Sequence, residues 1–176
     1  MSFSLCSTDW IKGSAMKNRQ SHGFPPFFFP DSSVLILGSF PSVKSREEGF
    51  YYANPLNRFY KVLSLVYGEE EPKTLPQKKD FLRRHHIALS DAIGVCEIEN
   101  SSDSTISEVT PMDFAPIFKA AKIGKVICNG KVAATYFFKF NQKLPGVSYF
   151  CLPSTSSANA SCSLSKLVAA YSSALI

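Results

Sequence analysis

Four short segments carry the side chains best suited to chemistry. The densest is Tyr51-Tyr52-Ala53-Asn54-Pro55-Leu56-Asn57-Arg58-Phe59-Tyr60. The adjacent Tyr51 and Tyr52 and two Asn in so short a stretch suit stacking on a planar ring and hydrogen bonding to its edge, because a phenol offers a flat face and an amide offers both donors and an acceptor. Asn57 is also a good cap for a helix starting at Arg58. The two roles are compatible, since a capping amide keeps its NH₂ group to offer outward. The second segment, Gly38-Ser39-Phe40-Pro41-Ser42, is a tight loop whose backbone N–H groups can face a ligand. It matches neither the GxGxxG dinucleotide loop nor a Walker loop. In the third, Asn129-Gly130-Lys131, a helix N-terminus and the Lys131 ammonium suit a phosphate, although a Gly turn followed by Lys is also an ordinary turn. The fourth, Leu152-Pro153-Ser154-Thr155-Ser156-Ser157-Ala158-Asn159-Ala160-Ser161, offers small hydroxyl side chains and free N–H groups that let a sugar–phosphate backbone approach closely.

Other reactive side chains are sparser. Asp91 is the carboxylate nearest these segments by topology, with a turn or capping role as its alternative. His85 and His86 precede a strand and read as surface or packing residues. His22 has no interpretable neighbours, and Ser101 to Ser107 reads as a turn capped by Asp103 or Ser104, without assigned chemistry. The five cysteines, Cys6, Cys96, Cys128, Cys151 and Cys162, are widely spaced and include no CxxC pair, so neither a disulfide frame nor a metal centre is expected. Cys128 and Cys151 lie in apolar runs and read as small hydrophobes.

The elements that must position these segments follow from periodicity. Val34–Leu37, Ile87–Leu89, Lys125–Cys128 and Val147–Leu152 read as strands, and the unbroken apolarity of the first and third points to strands buried on both faces. Helical spacing predicts helices over Arg58–Tyr67, Thr74–His85, Asp113–Ala121, Lys131–Phe140 and Ser163–Ile176. Strands alternating with helices give a single three-layer α/β domain, with a central, mainly parallel four-stranded sheet flanked by helices. Ligands are then expected beyond the carboxyl ends of the strands, where the four segments fall. Residues 1–30, with the Pro-rich stretch Phe24 to Pro30, read as an N-terminal arm packing on a domain over 31–176.

Composition sets the outer limits. A chain of 176 residues with 45% hydrophobic and 19% charged residues has the material for one packed core and excludes disordered, collagen-like and coiled-coil readings. No run approaches the roughly 20 apolar residues of a membrane span, and Met1 to Lys17 lacks the apolar stretch of a secretory signal. A soluble chain without a membrane partner is expected: cytoplasmic, nucleoid-associated if bacterial and nuclear if eukaryotic. Nineteen Lys and Arg against 14 Asp and Glu leave +5, a mild preference for anionic partners. Among the 15 Phe, seven Tyr and one Trp, the rings expected to face a planar ligand are Phe40, Tyr51 and Tyr52.

HGFPP, LILGSFPS, YYANPLNRFY, HHIALSDAIGVC, SSDSTI, ICNGKVAATYF and LPSTSSANAS, in that order from His22 onward, resemble the uracil-DNA glycosylase superfamily, specifically its hypoxanthine-DNA (DNA-deoxyinosine) glycosylase branch. The resemblance implies base-excision repair of DNA containing deaminated bases, without a cofactor or metal, by a monomer. It implies a catalytic role for Asn57, base contacts from Gly38, Ser39, Phe40, Tyr52 and Asn129, and DNA contacts from Pro41, Ser42, Lys131, Ser154, Thr155, Ser156, Ser157 and Asn159. Phe40 occupies the place where many relatives carry an Asn or Asp that handles the attacking water. Three positions depart from the branch: Tyr60 and Ser90 stand where it has Trp, and Ser157 replaces the Pro of its S-T-S-P-A-N motif.

Base excision makes physical demands on such a site. A stacked base must be rotated out of the duplex, at a few kcal/mol, before it can be reached. Breaking the N-glycosidic bond leaves an oxocarbenium-like sugar and a negatively charged base, so donors aimed at the base stabilise the transition state selectively. Asn57 can supply such a donor and can hold water, and the motifs contain no carboxylate pair of the kind used by ordinary glycosidases. Lys44 and Lys131 sit beside Gly or polar residues, which does not suit Schiff-base formation, so a monofunctional enzyme leaving an abasic site is expected. Hypoxanthine is the expected base. Uracil or mismatch excision, a DNA-binding member of the fold with impaired catalysis, and a small-nucleotide enzyme are the alternatives. Phosphate recognition by backbone N–H groups as much as by cations predicts a modest salt dependence.

Overall fold

The computed structural model describes residues 17–99 and 101–176. In chain order its elements are β1 (Asn18–Ser21), β2 (Val34–Gly38), α1 (Val43–Glu48), α2 (Phe59–Tyr67), α3 (Leu75–Arg84), β3 (Ile87–Asp91), β4 (Ile93–Ile98), a 3₁₀ turn (Asp103–Thr105), β5 (Ser107–Pro111), α4 (Ala115–Ala120), β6 (Lys125–Asn129), α5 (Lys131–Phe140), β7 (Ser148–Leu152) and α6 (Leu164–Leu175). Four strands form a wholly parallel sheet in the order β3-β2-β6-β7.

The two central strands, β2 and β6, are the two whose sequences are continuously apolar. Alternate residues point to opposite faces. Leu35 and Leu37 pack with Phe114, Ile117 and Phe137 beneath α4 and α5. Ile36 packs on the other face with Phe59, Leu63, Phe81 and Leu167 beneath α2, α3 and α6. The layered α/β domain is as expected. The helix over Lys131–Phe140 has the predicted bounds, and Thr74 and Ser163 cap α3 and α6 instead of lying inside them.

Three features depart from expectation. A second, antiparallel sheet has the order β1-β4-β5. Its strands hide in the sequence because Asn18–Ser21 is entirely polar, Gly94 interrupts β4, and Pro111 ends β5 on the sheet edge. A short helix, α1, follows the Gly38–Ser42 loop, capped by Ser42, whose hydroxyl accepts from the Ser45 N–H. The predicted helix over Asp113–Ala121 is shorter, because the Asp113 carboxylate accepts the Ala115 N–H and Phe114 becomes the cap.

The described part of the N-terminal arm is tied to the domain. β1 pairs with β4, and Phe27 exchanges hydrogen bonds with Leu89 at 2.9 and 2.8 Å, covering the open edge of β3. Cys96, Cys128, Cys151 and Cys162 are free; Cys128 is buried as predicted, but Cys151, its register partner on the edge strand β7, is exposed. Residues 1–16, with Cys6 and most of the stretch weighed as a signal sequence, lie outside the described residues. Among the described residues, no helix is long and apolar enough to cross a membrane, and no cluster of three or more potential ligands could hold a metal.

Candidate active site

The carboxyl ends of β2, β3 and β6 open into a pocket of about 530 Å³. The Gly38–Ser42 loop, the Tyr51–Asn57 turn and the Ser154–Asn159 loop all contribute to its wall, as the strand-end rule anticipates. Its lining includes no Lys and no Arg, and its charged side chains are Asp91 and Asp103.

The first side of the pocket is acidic. Asp91, the last residue of β3, pairs in register with Gly38, the last residue of β2. The Asp91 carboxyl leans across that neighbour: a Cβ on Gly38 would lie 2.2 Å from Asp91 Oδ1. Glycine is therefore required here for close approach and not for an unusual backbone angle. Asp91 is 4% exposed, and its Oδ2 meets Nε2 of the equally buried His22 at 2.8 Å. The His22 ring lies in an aromatic nest of Phe24, Phe40 and Tyr51. Beside it, the Ser39 hydroxyl reaches both carboxylate oxygens of Asp103, at 2.9 and 2.8 Å. Desolvation raises the Asp103 carboxyl above its ordinary range and the charge of Asp91 adds to that, against the opposing pull of the Ser39 hydroxyl.

The second side is built of neutral amides and hydroxyls. Asn57 Oδ1 accepts from the Phe59 N–H at 3.0 Å and from the Thr155 hydroxyl at 2.8 Å. Because a backbone N–H can only donate, these contacts fix the amide with its oxygen inward. No described residue accepts from Nδ2, and Asn57 is part of the pocket lining. Arg58, not Asn57, takes the cap position of α2, which starts one residue later than expected; Asn57 stands just before it and still serves the first turn through the Phe59 N–H, with its NH₂ group left free.

Asn129, at the end of β6, closes the network. Its Oδ1 accepts from the Thr155 N–H (2.9 Å) and the Tyr171 hydroxyl (2.8 Å), while its Nδ2 donates to the Tyr52 hydroxyl (3.2 Å) and to Thr155 Oγ1 (3.0 Å). Tyr52 holds φ +53, a left-handed conformation that is costly for a bulky side chain. Its ring stacks on Phe59 at 3.7 Å and 17°. Burial, with the nearby Asp91 charge, raises its phenol well above the usual range and keeps it neutral.

Arg58 fastens the serine-rich loop. Its guanidinium donates to the carbonyls of Thr155 (3.4 Å), Cys162 (2.6 Å), Ser156 (3.2 Å) and Asn159 (3.0 Å), so one rigid fork fixes the path of the whole segment. At its start, the loop meets Gly130, where φ +106 and a gap of 3.0 Å between a built Cβ and Ser154 Cβ exclude a side chain.

Most predicted residues converge here: Gly38, Ser39, Phe40, Pro41, Ser42, Tyr52, Asn57, Ser154, Ser156, Ser157 and Asn159 all line the pocket. Of the other expected residues, Asn129 and Tyr51 belong to that wall and Thr155 and Lys131 do not. Thr155 is fully buried, so its hydroxyl braces Asn57 and cannot reach DNA. Asn129 borders the pocket, but its amide is fully engaged by protein partners, which makes it a brace instead of a base contact. Lys131 is exposed and lies outside the pocket wall. Tyr51 is 2% exposed and packs into the core against Phe24, Phe50 and His22, leaving little ring to face a base.

Sequence reasoning missed His22, Asp103 and Arg58 as site residues and left Asp91 undecided. The pocket does hold two carboxyl groups, although no motif contains a pair, because β3 and the 3₁₀ turn deliver them separately. The signal that could have found Arg58 is a lone charge inside an otherwise aromatic and amide segment. Where the branch pattern has Trp, Ser90 is wholly buried and Tyr60 is buried with its hydroxyl donating to the Tyr51 carbonyl at 3.2 Å.

Known proteins resemble this chain over most of its length. A protein from Methanosarcina acetivorans named hypoxanthine DNA glycosylase is 33% identical over 141 residues, covering 78% of this chain and 87% of its own. One of the same name from Methanosarcina barkeri is 31% identical over 120 residues, 66% of this chain and 75% of its own. The solution NMR structure of a Methanosarcina acetivorans protein described as a uracil DNA glycosylase superimposes with a TM-score of 0.72 at 29% identity, covering 86% of this chain and 96% of its own. The family model of the uracil DNA glycosylase superfamily matches residues 25–174, and the chain belongs to that superfamily.

Proposed function

We propose that this protein is a monofunctional DNA glycosylase that takes a deaminated base, hypoxanthine foremost, into the pocket and hydrolyses its N-glycosidic bond, leaving an abasic site. The observation that carries this reading is the pinned amide of Asn57. With its oxygen held by Phe59 and Thr155, it presents an N–H donor to whatever occupies the pocket. As the C1′–N bond lengthens, the electron pair moves onto the base, and a fixed donor stabilises that charge more than it stabilises the intact nucleotide. Asp91 and Asp103 supply the opposite sign of field, suited to the oxocarbenium-like sugar. Water then adds at C1′ and its proton is released as the departing base is protonated.

The open face of Tyr52, stiffened from behind by Phe59, is the stacking surface for the base. The small residues Ser154, Ser156, Ser157 and Ala158 and the backbone N–H groups of the loop held by Arg58 take the DNA strand. No lysine lines the pocket, which supports direct hydrolysis over a Schiff base. Borohydride should therefore trap no enzyme–DNA adduct.

Duplexes identical except for one deoxyinosine or one deoxyuridine, incubated with the protein and treated with alkali, test the reading. Faster strand scission at deoxyinosine is expected, and no scission at either lesion would refute glycosylase activity on deaminated bases. The likeness to a solved protein described as a uracil DNA glycosylase favours uracil as the second reading, recognised by a deoxyuridine rate above the deoxyinosine rate.

A further inference from the structure

The buried charged group of the pocket wall is Asp91, and its proton arrangement is constrained by His22. Nδ1 of the imidazole meets the Phe24 carbonyl oxygen at 2.7 Å. A carbonyl only accepts, so Nδ1 bears a hydrogen. Nε2 meets Asp91 Oδ2 at 2.8 Å, a contact at which two lone pairs would repel, so one more hydrogen lies on the line between them. On Nε2 it makes an imidazolium–carboxylate pair; on Oδ2 it makes an imidazole–carboxylic acid pair. In both, Asp91 Oδ1 carries no hydrogen.

Oδ1 is also the oxygen that leans over Gly38. No described residue donates to it, and no fully buried polar atom of the described residues lacks a partner, so Oδ1 opens onto the pocket. The other titratable groups facing Asp91 are the phenols of Tyr51 and Tyr52 and the carboxyl of Asp103. The pocket wall thus presents a hydrogen-bond acceptor that cannot turn into a donor.

Deamination makes the complementary change in a base. Adenine N1 and cytosine N3 are ring acceptors; in hypoxanthine and uracil the same positions carry N–H. We propose that Asp91 Oδ1, held as an obligate acceptor by the positioning residue His22, is the specificity-determining atom that reads this ring N–H, so that the substrate class is bases carrying a lactam edge. The proposal rests on the glycosylase reading above and deepens it. Adenine or cytosine, the parent bases of hypoxanthine and uracil, would set its ring lone pair against Oδ1 and leave a buried acceptor unpaired, which discriminates against it.

The test uses the intact protein, DNA carrying one deoxyinosine or one deoxynebularine, whose purine has an acceptor at N1 and no 6-oxygen, and the variants Asp91→Asn and His22→Gln. The wild-type protein should cut deoxyinosine about tenfold to a hundredfold faster than deoxynebularine, as expected for a charge-assisted hydrogen bond. In Asp91→Asn the amide NH₂ can face N1, and the rate ratio should collapse by about tenfold or more. A ratio between two substrates on one preparation does not depend on how much of the variant folds. In His22→Gln the imidazole that orients the carboxyl is lost, so the rate on deoxyinosine should fall while the rate on deoxynebularine, which makes no hydrogen bond to Oδ1, changes little; a purely structural histidine would lower both rates together. An unchanged ratio in Asp91→Asn, or equal wild-type rates on the two bases, overturns the proposal while leaving the glycosylase reading intact. A wild-type protein inactive on deoxyinosine, deoxyuridine and deoxynebularine alike overturns both.

Discussion

The two sides of the pocket solve opposite problems with the same backbone frame. On the amide side, Asn57, Asn129, Thr155, Tyr52 and Tyr171 form a neutral network in which every polar atom of Asn129 has a protein partner and the free hydrogen-bonding group of Asn57 is one NH₂. On the acid side, two carboxyls are held by a single hydroxyl and a single imidazole, and acceptor capacity is left over. A satisfied network gives rigidity, since moving one member unpairs several others in a low dielectric. An unsatisfied one gives chemistry, since its spare lone pairs wait for a ligand. The contrast implies that changes within the closed network should act through geometry, and changes at the groups left open, the Asn57 NH₂ and the two carboxyls, through charge.

The largest expected effect breaks the amide side at its one open group. Asn57→Ala should lower the single-turnover rate on deoxyinosine DNA by about a hundredfold to a thousandfold, the usual cost of losing one preorganised donor to a developing anion, while mobility-shift binding changes little. Asn57→Asp should be as inactive, because it keeps the acceptor that Phe59 and Thr155 need and presents no donor to the base. Wild-type activity in Asn57→Asp would mean that the group works by holding water instead. Next comes Arg58→Ala, which frees four carbonyls of the serine-rich loop at once. It should cost about 2–3 kcal/mol, because hydrogen bonds to a charged group are stronger than neutral ones and this group is only part-buried, and lower the melting temperature by about 4–10 °C. DNA affinity should fall as well. Arg58→Lys should rescue neither, because a point-like ammonium cannot span the fork of acceptors.

This contrast was only half legible in the sequence. β2 and β6 announced themselves because both of their faces are buried and every position is apolar. The Tyr51–Tyr60 segment declared the amide side because stacking and edge-reading residues crowd into it. The acid side is a product of tertiary structure: Asp91 and His22 are 69 residues apart, and Ser39 and Asp103 are 64 apart. Nothing local to Asp91 distinguishes a strand-end carboxylate from a capping one, and nothing in HGFPP shows that its histidine will be buried against β3. The second sheet was invisible for the same reason. Its outer strand, Asn18–Ser21, is polar and largely exposed, and exists because β4 offers an edge to pair with. The direction of Asn129 could not be read either, since its partners Thr155 and Tyr171 arrive from 26 and 42 residues away.

A smaller effect sharpens the acid side at its base. Gly38→Ala places a methyl group where Asp91 Oδ1 stands, 2.2 Å away, so the carboxyl must rotate off β2 or the strand ends must part. Overpacking of this kind costs about 1–3 kcal/mol. The backbone conformation at Gly38 is one that alanine adopts readily, so the cost should arise from the displaced carboxyl. The deoxyinosine rate should fall about tenfold, as for the loss of one aligned hydrogen bond, with the melting temperature lowered by a few degrees. Combining Gly38→Ala with Asp91→Asn should give less than the sum of the two losses, because both act on one oxygen.

The smallest expected effect separates charge from geometry at Asp103. Its carboxyl is raised above the ordinary value of the unfolded chain, by desolvation first and by Asp91 second. A raised acid binds its proton more tightly in the folded state, so stability declines as pH rises from the unfolded value toward the folded one and stays lowered at neutral pH. Asp103→Asn removes the ionisation and keeps an oxygen for the Ser39 hydroxyl. Its melting temperature should therefore exceed the wild-type value slightly at pH 7, with the gain shrinking as pH falls through the raised range and vanishing below about pH 4, where both forms are neutral. The amide side contains no such group, so Asn129→Asp, which adds a charge to a closed network, should behave in the opposite sense and destabilise most at neutral pH. Thermal melts of the two variants between pH 4 and 8 test the distinction, and parallel pH profiles for them would remove it.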